Sequence, residues 1–237
     1  MGVLGVIPAR YDSVRFPGKV LIPIDGLPMV ARVYNQAIQC RELDSVIIAT
    51  DSQYVKNAME ELDIPVEMTS SDHATGTERT AEIASRHDDE IVINIQGDEP
   101  FIFPDIIDGA VSLLFEDKSM GMSTAASSSI SQDEWENPNV VKVELDENGF
   151  AKDFFRVWEG EQIDEHFKHI GIYAFRREYL MELTKIEKSS HEIERSLEQM
   201  RALDAGCKMG VFITEHDVIG VNTPDDLNAL IEEMGIA

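Results

Sequence analysis

The amino-acid sequence predicts an α/β fold, a doubly wound and mostly parallel sheet, from three observations. Val3-Leu4-Gly5-Val6-Ile7 is a continuous apolar run of the kind that forms a strand covered on both faces. Ser45-Val46-Ile47-Ile48-Ala49-Thr50 and Glu90-Ile91-Val92-Ile93-Asn94-Ile95 are runs of the same kind. Between the first two, apolar residues return at helical spacing, at Val30, Val33, Tyr34, Ala37 and Ile38. Strands alternating with helices of ~10–15 residues mean βαβ units with right-handed crossovers. At 237 residues the chain suits one large domain, or one with a modest appendage.

In order along the chain, Pro8 ends the first strand and the next eleven residues supply Arg10, Arg15 and Lys19, a hydroxyl at Ser13 and a Pro17-Gly18 turn. The whole protein has 20 Lys+Arg against 45 Asp+Glu, a formal net charge of −25. Three cations in one loop therefore build a local positive field that the composition does not supply. In open α/β sheets ligands sit beyond the carboxyl ends of the strands, where this loop must be. The plain alternative is a surface loop of solvated charges. It is not a Walker-A loop, since Ser13 stands where that motif has glycine and Val20 follows the lysine. The dinucleotide fingerprint G-x-G-x-x-G is absent from this junction too.

Residues 53–62 read as a second helix and Pro65–Thr69 as a short strand. Ser70 to Arg79 is a polar loop with one glycine, entering a helix that Thr77 can cap. After Ile95 comes the acidic turn Gln96-Gly97-Asp98-Glu99-Pro100. A magnesium ion serving a nucleotide takes one or two protein carboxylates plus waters and phosphate oxygens, and Asp98 suits that role; a purely structural turn aspartate is the alternative. Pro104–Glu116 reads as a helix, 120–126 as a strand, Asp146-Glu147-Asn148-Gly149 as a hairpin turn. Alternation in the strand from His169 to Arg176 places His169 and Tyr173 on one face. Ser189-Ser190-His191-Glu192 has capping-box spacing and opens a helix to Ala205, with Gly206 as its stop. Residues 208–213 read as a strand, and Thr223, Pro224 and Asp226 open the final helix.

Composition narrows the function classes. No apolar run reaches ~18 residues, so no membrane span is expected. There is no charged n-region or cleavage site at the N-terminus. Cys40 and Cys207 offer neither a disulfide framework nor a metal-cluster spacing, which suits a reducing cytoplasm. A pI of about 4.4 argues against nucleic acid as a partner.

Five motif blocks, in order, resemble those of the sugar-acid cytidylyltransferases, and among them the CMP-KDO synthetase group (3-deoxy-manno-octulosonate cytidylyltransferases). They are Ile7-Pro8-Ala9-Arg10 with Ser13, Arg15 and Pro17-Gly18-Lys19; Asp72-His73 with Gly76-Thr77-Glu78-Arg79; Asn94 with Gln96-Gly97-Asp98-Glu99-Pro100; Asn137-Pro138-Asn139 with Val141-Lys142-Val143; and His169 with Gly171 and Tyr173. A less complete match follows at Glu192, Leu197, Glu198, Gln199 and Arg201, and again at Gly220-Val221-Asn222-Thr223-Pro224. The resemblance covers about residues 3–230 and implies a nucleotide-diphospho-sugar-transferase-like fold, read as a single domain over 1–237. Its nucleotide-binding half is expected at about 1–125, an acceptor and dimer region at about 126–215, and a closing strand and helix at 216–237.

The resemblance further implies a magnesium-dependent enzyme that transfers CMP from CTP to the anomeric hydroxyl of KDO or a similar sugar acid. Pyrophosphate is released, in service of lipopolysaccharide biosynthesis, by a cytoplasmic homodimer. It assigns Arg10, Lys19 and Asp98 to catalysis. Pro8, Ala9, Arg10, Ser13, Arg15, Lys19, Gly76, Thr77 and Arg79 go to the nucleotide. Arg79, Gln96, His169, Tyr173, Glu192 and Gln199 go to the acceptor, and Asp98 and Asn222 to the metal. The departures fall on the acceptor and metal side. Arg195 stands where the family has a carboxylate, Asn222 where it has the second metal-binding Asp, and the connection 155–168 is short and lacks an Ile-Pro loop. An altered acid, such as an amino-substituted analogue or a phosphonate, would fit these changes, and at Arg195 a solvent-facing substitution would too. A glycosyltransferase-like protein is the second reading, although Asp98-Glu99-Pro100 is not its D-x-D. An inactive nucleotide-binding module is the third.

Overall fold

The computed structural model describes residues 2–12, 16–157 and 166–235. The chain falls into two compact units, Met1–Asp108 with Val218–Ala237, and Gly109–Asp217.

The first unit is built on a parallel sheet. Its elements are β1 (Val3–Pro8), the two-residue strands β2 (Pro23–Ile24) and β3 (Leu27–Pro28), α1 (Met29–Ala37), β4 (Ser45–Thr50), α2 (Gln53–Glu60), β5 (Val66–Met68), α3 (Gly76–Ala84), β6 (Ile91–Asn94) and the start of α4 (Pro104–Glu116). The strand order is β6-β1-β4-β5, every pair parallel. Val3 to Ile7 are all buried, as a strand covered on both faces requires. β1 thus has β4 on one side and β6 on the other, so the chain winds outward in both directions from it. That is the doubly wound pattern, and the ends of β1 and β6 mark its switch point.

The two ends approach closely. Ile95 N–H donates to Val6 O at 2.9 Å, which carries the ladder one residue past β6. A Cβ on Gly97 would lie 2.7 Å from Pro8 O. Only glycine lets the backbone turn here against the end of β1.

The second unit holds β7 (Met122–Ser127), α5 (Gln132–Glu136), β8 (Lys142–Leu145), β9 (Ala151–Phe155), β10 (His166–Arg176), α6 (Arg177–Leu183), α7 (Ser190–Arg195), α8 (Met200–Asp204) and β11 (Met209–Thr214). Its strand order is β11-β7-β10-β8-β9; β11–β7 is parallel and the rest are antiparallel. Lys142 is fully buried in β8. Its ammonium donates to Asn137 O at 2.8 Å and Arg156 O at 2.9 Å, so it pins the Asn137-Pro138-Asn139 turn to the end of β9.

Two expected elements differ. The helix expected from Ser189 to Ala205 is broken into α7 and α8, because Ser196 adopts a left-handed conformation (φ 53°). The Arg156 guanidinium donates to the Arg195 and Ser196 carbonyls, satisfying backbone groups that a continuous helix would have used itself. The strand expected after residue 216 is extended loop, and α9 (Pro224–Met234) follows as part of the first unit. The packing of α9 explains why: Val221 and Leu230 join Ile24 and Met29 in one buried cluster. The loop is anchored by that cluster rather than by a neighbouring strand.

Gly97→Ala should lower the unfolding free energy by about 1–3 kcal/mol, the usual cost of forced overpacking. Urea denaturation followed by circular dichroism measures it; an unchanged midpoint would show that the approach to Pro8 O is not tight.

Candidate active site

The first unit places three chain segments around one cleft of about 380 Å³, lined among others by Pro8, Arg10, Lys19, Gly76, Arg79 and Asp98. They follow β1, β5 and β6. Beyond β1, Ala9 N–H donates to Ala49 O at 2.8 Å, and Thr50 Oγ1 donates to Ala9 O at 2.6 Å. These bonds hold the chain in line until Arg10. Gly18, in the left-handed region (φ 70°), donates its N–H to Tyr11 O at 2.9 Å and closes the loop on itself. Lys19 then opens a single turn of 3₁₀ helix, Lys19–Leu21. Ser13 and Arg15, assigned to the nucleotide by the family pattern, lie outside the described residues.

Lys19 joins the loop after β1 to the loop after β6 and to the start of α9. Its Nζ donates to Asp98 Oδ2 at 2.7 Å, Val221 O at 3.1 Å and Asn222 Oδ1 at 3.4 Å. Val221 N–H donates to Asp98 O at 2.8 Å, which locks the last two of these together. Asp226 is committed elsewhere. One of its oxygens accepts from the Asn222 and Thr223 amides, completing a capping box at the start of α9. Asp98 and Asn222, proposed from sequence as metal ligands, therefore do meet at one point. Among the described residues no three His, Cys, Asp or Glu side chains gather into a metal cluster.

The third segment is the start of α3. Thr75, not Thr77, is the N-cap, accepting from Glu78 N–H at 3.2 Å. The helix begins two residues earlier than expected because Gly76 takes its first position, and Thr77 is buried within the first turn. Arg79 lies at the cleft, but its guanidinium is almost entirely buried and committed internally. It donates to Asp51 Oδ2 at 2.7 Å, to Thr69 Oγ1 and to Ser70 O. Asp51 also lies 4.0 Å from Arg10 Nε, and Arg10 donates to His73 O. Arg10 remains 43% exposed, so it is the more available of the two guanidinium groups for an arriving anion. Sequence reasoning passed over Asp51. Its position directly after β4, at the ligand-binding end of the sheet, was the available signal. Gln96, assigned to the acceptor, is half-buried and lines the same cleft.

In the second unit, His169 and Tyr173 have ring centroids 5.6 Å apart. A register irregularity between Ile170 and Tyr173 interrupts the strict alternation expected of β10. The His169 imidazole meets Thr124 Oγ1 at 3.0 Å and packs edge-on to Phe154 at 4.9 Å. Burial pushes its pKa down to about 3. Both carboxylate oxygens of Glu192 are taken by Arg201, at 2.6 and 2.7 Å, and both residues are buried. Gln199 is buried beside them in sequence. Arg195, where the family pattern has a carboxylate, donates to Asp153 Oδ1 and to Phe154 O. Its added charge is compensated within the unit.

Comparison with known proteins follows the same lines. A family model described as cytidylyltransferase matches residues 4–209. The 3-deoxy-manno-octulosonate cytidylyltransferase of Geobacter sulfurreducens is 42% identical, the match covering 99% of this chain and 100% of that protein. That of Pelobacter propionicus is also 42% identical, covering 96% of this chain and 95% of the relative. Among solved structures, a CMP:2-keto-3-deoxy-manno-octonic acid synthetase complexed with CTP matches with a TM-score of 0.94 at 34% identity, over 99% of each chain.

His169 should stay neutral across the physiological range. Its folded-state pKa lies below the unfolded value of about 6.5, so on acidification the unfolded chain binds the proton first. The His169 contribution to stability is thus full above pH ~6.5 and falls away as pH drops toward about 3. Carbon-edited NMR should show its Hε1 resonance flat between pH 5 and 8; a titration centred near 6.5 would show that the ring is open to water.

Proposed function

The chain belongs to the cytidylyltransferase family, and from that premise we propose that it transfers CMP from CTP to the anomeric hydroxyl of 3-deoxy-manno-octulosonate, releasing pyrophosphate. The observation that carries this reading is the meeting of Arg10, Lys19 and Asp98 in one cleft at the sheet's switch point, in a chain whose full-length relatives bear that name.

The acceptor hydroxyl attacks the α-phosphorus in line, the new P–O bond forms, and the bond to the pyrophosphate oxygen breaks. Such a reaction asks for positioning and charge stabilisation rather than covalent catalysis. Arg10 and Lys19 neutralise the triphosphate from the loop after β1. The Pro8–Ala9 backbone and the Gly76–Thr77 turn flank the nucleotide, and Arg79, held by Asp51, keeps the wall between them rigid. Gln96, on the cleft, is assigned to the acceptor. His169, Tyr173, Glu192 and Gln199 are assigned to it from the family pattern; Glu192 acts there only through groups that Arg201 leaves free. Because Asp153 absorbs the charge of Arg195, that substitution does not call for a more anionic acceptor. A homodimer and a cytoplasmic setting belong to the same reading.

Magnesium fits the donor set. Asp98 Oδ2, Asn222 Oδ1 and Val221 O are hard oxygens around one point, and such an ion completes its shell with water and phosphate oxygens. When bound, it would polarise the α-phosphate and make the attacking hydroxyl more acidic.

Pyrophosphate release from CTP across a panel of acidic acceptors tests the reading, and KDO should be the best of them. Turnover with ATP or GTP but not CTP would overturn it. Lys19→Ala and Arg10→Ala should each cost ~2–4 kcal/mol in kcat/KM for CTP, the scale of one lost charge-stabilising contact. Lys56→Ala, on the exposed side of α2, should cost nothing; equal losses in all three would mean the loop is only solvated surface.

The metal assignment has its own expected outcomes. Asp98→Asn should abolish turnover. Asn222→Asp adds a charge to the donor set and should lower the magnesium concentration for half-maximal activity. Intact turnover in the first, or an unchanged metal dependence in the second, would refute the assignment.

A further inference from the structure

The ammonium of Lys19 lies inside the oxygen set assigned above to the metal. A carboxylate, a carbonyl and an amide oxygen converge on Nζ at 2.7, 3.1 and 3.4 Å. The place is sheltered, with the Lys19 and Asp98 side chains 13% and 24% exposed. The oxygens come from segments more than a hundred residues apart, held together by the Val221 to Asp98 backbone bond. The protein fold alone therefore assembles the set, and a cation of the chain's own fills it.

We propose that Lys19 is a resident counter-cation: its ammonium occupies the oxygen set when no nucleotide is bound, excludes free divalent metal, and leaves only when the phosphates of a metal–nucleotide chelate draw it out. On this proposal the substrate is the chelate, and free metal does not bind first. The proposal rests on the Asp98–Asn222 metal reading.

Charge arithmetic supports it. The set carries one formal negative charge, on Asp98, since Asn222 and Val221 O are neutral. An ammonium and a divalent ion together would bring three positive charges to that one, at separations where their mutual repulsion is large in a poorly hydrated site. They must exclude one another. A triphosphate reverses the balance, because it offers Lys19 more negative charge than Asp98 does and delivers the metal at the same time. Lys19 has the reach for this exchange, with a flexible four-carbon stem and a compact charge that makes no fixed fork with its partners. Asn222 favours it too: the lysine has one carboxylate to leave, not two.

The test uses Mn²⁺ as probe, titrated by electron paramagnetic resonance into the full chain with and without CTP, and with no acceptor present. Lys19→Met, which keeps the stem and removes the charge, should bind Mn²⁺ in the absence of nucleotide at least tenfold more tightly than the wild type. With CTP present that advantage should vanish, since the methionine cannot hold the phosphates. Adding Asp98→Asn to Lys19→Met should remove the gained affinity. Equal Mn²⁺ affinity of the nucleotide-free wild type and Lys19→Met overturns the counter-cation proposal while leaving the metal site standing. If instead Asp98→Asn leaves Mn²⁺ binding unchanged with CTP present, the metal reading itself fails, and this proposal with it. Lys19→Gln, with a neutral side chain that can still donate to Asp98, supplies a second variant should the methionine disturb folding, and it should show the same gain.

Discussion

Everything at the cleft depends on one constraint of the sheet: β1 is paired on both sides, by β4 and by β6. Neighbouring parallel strands end at the same level, but the chain leaving a central strand can follow only one of its neighbours. Beyond β1 and β6 the backbone therefore parts and leaves polar groups facing an opening. Residues 9 and 10 follow the β4 side, tied by the Ala9–Ala49 and Thr50–Ala9 bonds. Gly97 turns beneath Pro8 O, which sets the height of Asp98. The Lys19 ammonium then spans the gap between the two exits.

A chain with a net charge of −25 has few cations to place, and where they lie shows what the fold asks of them. Arg79 is matched to Asp51, Arg201 to Glu192 and Arg195 to Asp153. Arg79 and both members of the Arg201–Glu192 pair are buried, and removing the carboxylate from either would strand an uncompensated charge. They act as rigid struts. Arg10 and Lys19 differ in kind. Arg10 is substantially exposed and its carboxylate partner is 4.0 Å away, while Lys19 has a short ion pair at a cleft. On the proposed function both have partners that a polyphosphate would outbid, so the field of Arg10 and Lys19 is available to a ligand even though both are partnered.

The sheet of the first unit was legible in the sequence because buried parallel strands are written as unbroken apolar runs, and β1, β4 and β6 are such runs. The spacing of Val30, Val33 and Ala37 likewise shows the buried face of α1. Less legible was everything that depends on a distant partner. Nothing local in Leu197 to Ala205 announces that Ser196 is left-handed; the carbonyls it frees are met by Arg156, 39 and 40 residues away in sequence. The commitment of Arg79 to Asp51 spans 28 residues. A motif can name a residue such as Arg79, but only the fold says whether the side chain is a strut or is free to meet a ligand.

The same distinction bears on Arg195. As a letter in a motif it reverses the charge at a position assigned to the acceptor, which reads as a change of substrate. In the structure its guanidinium donates to Asp153 and to the Phe154 carbonyl, both on β9, the strand that leads into Arg156 and its grip on the 195–196 turn. A substituent that finds its counter-charge and a backbone acceptor on the neighbouring strand alters how the end of α7 is held. It does not add a free cation to a binding surface. On the proposed function, specificity for the acceptor is then to be sought in groups whose hydrogen-bonding capacity is not already spent on β9 or on Arg201.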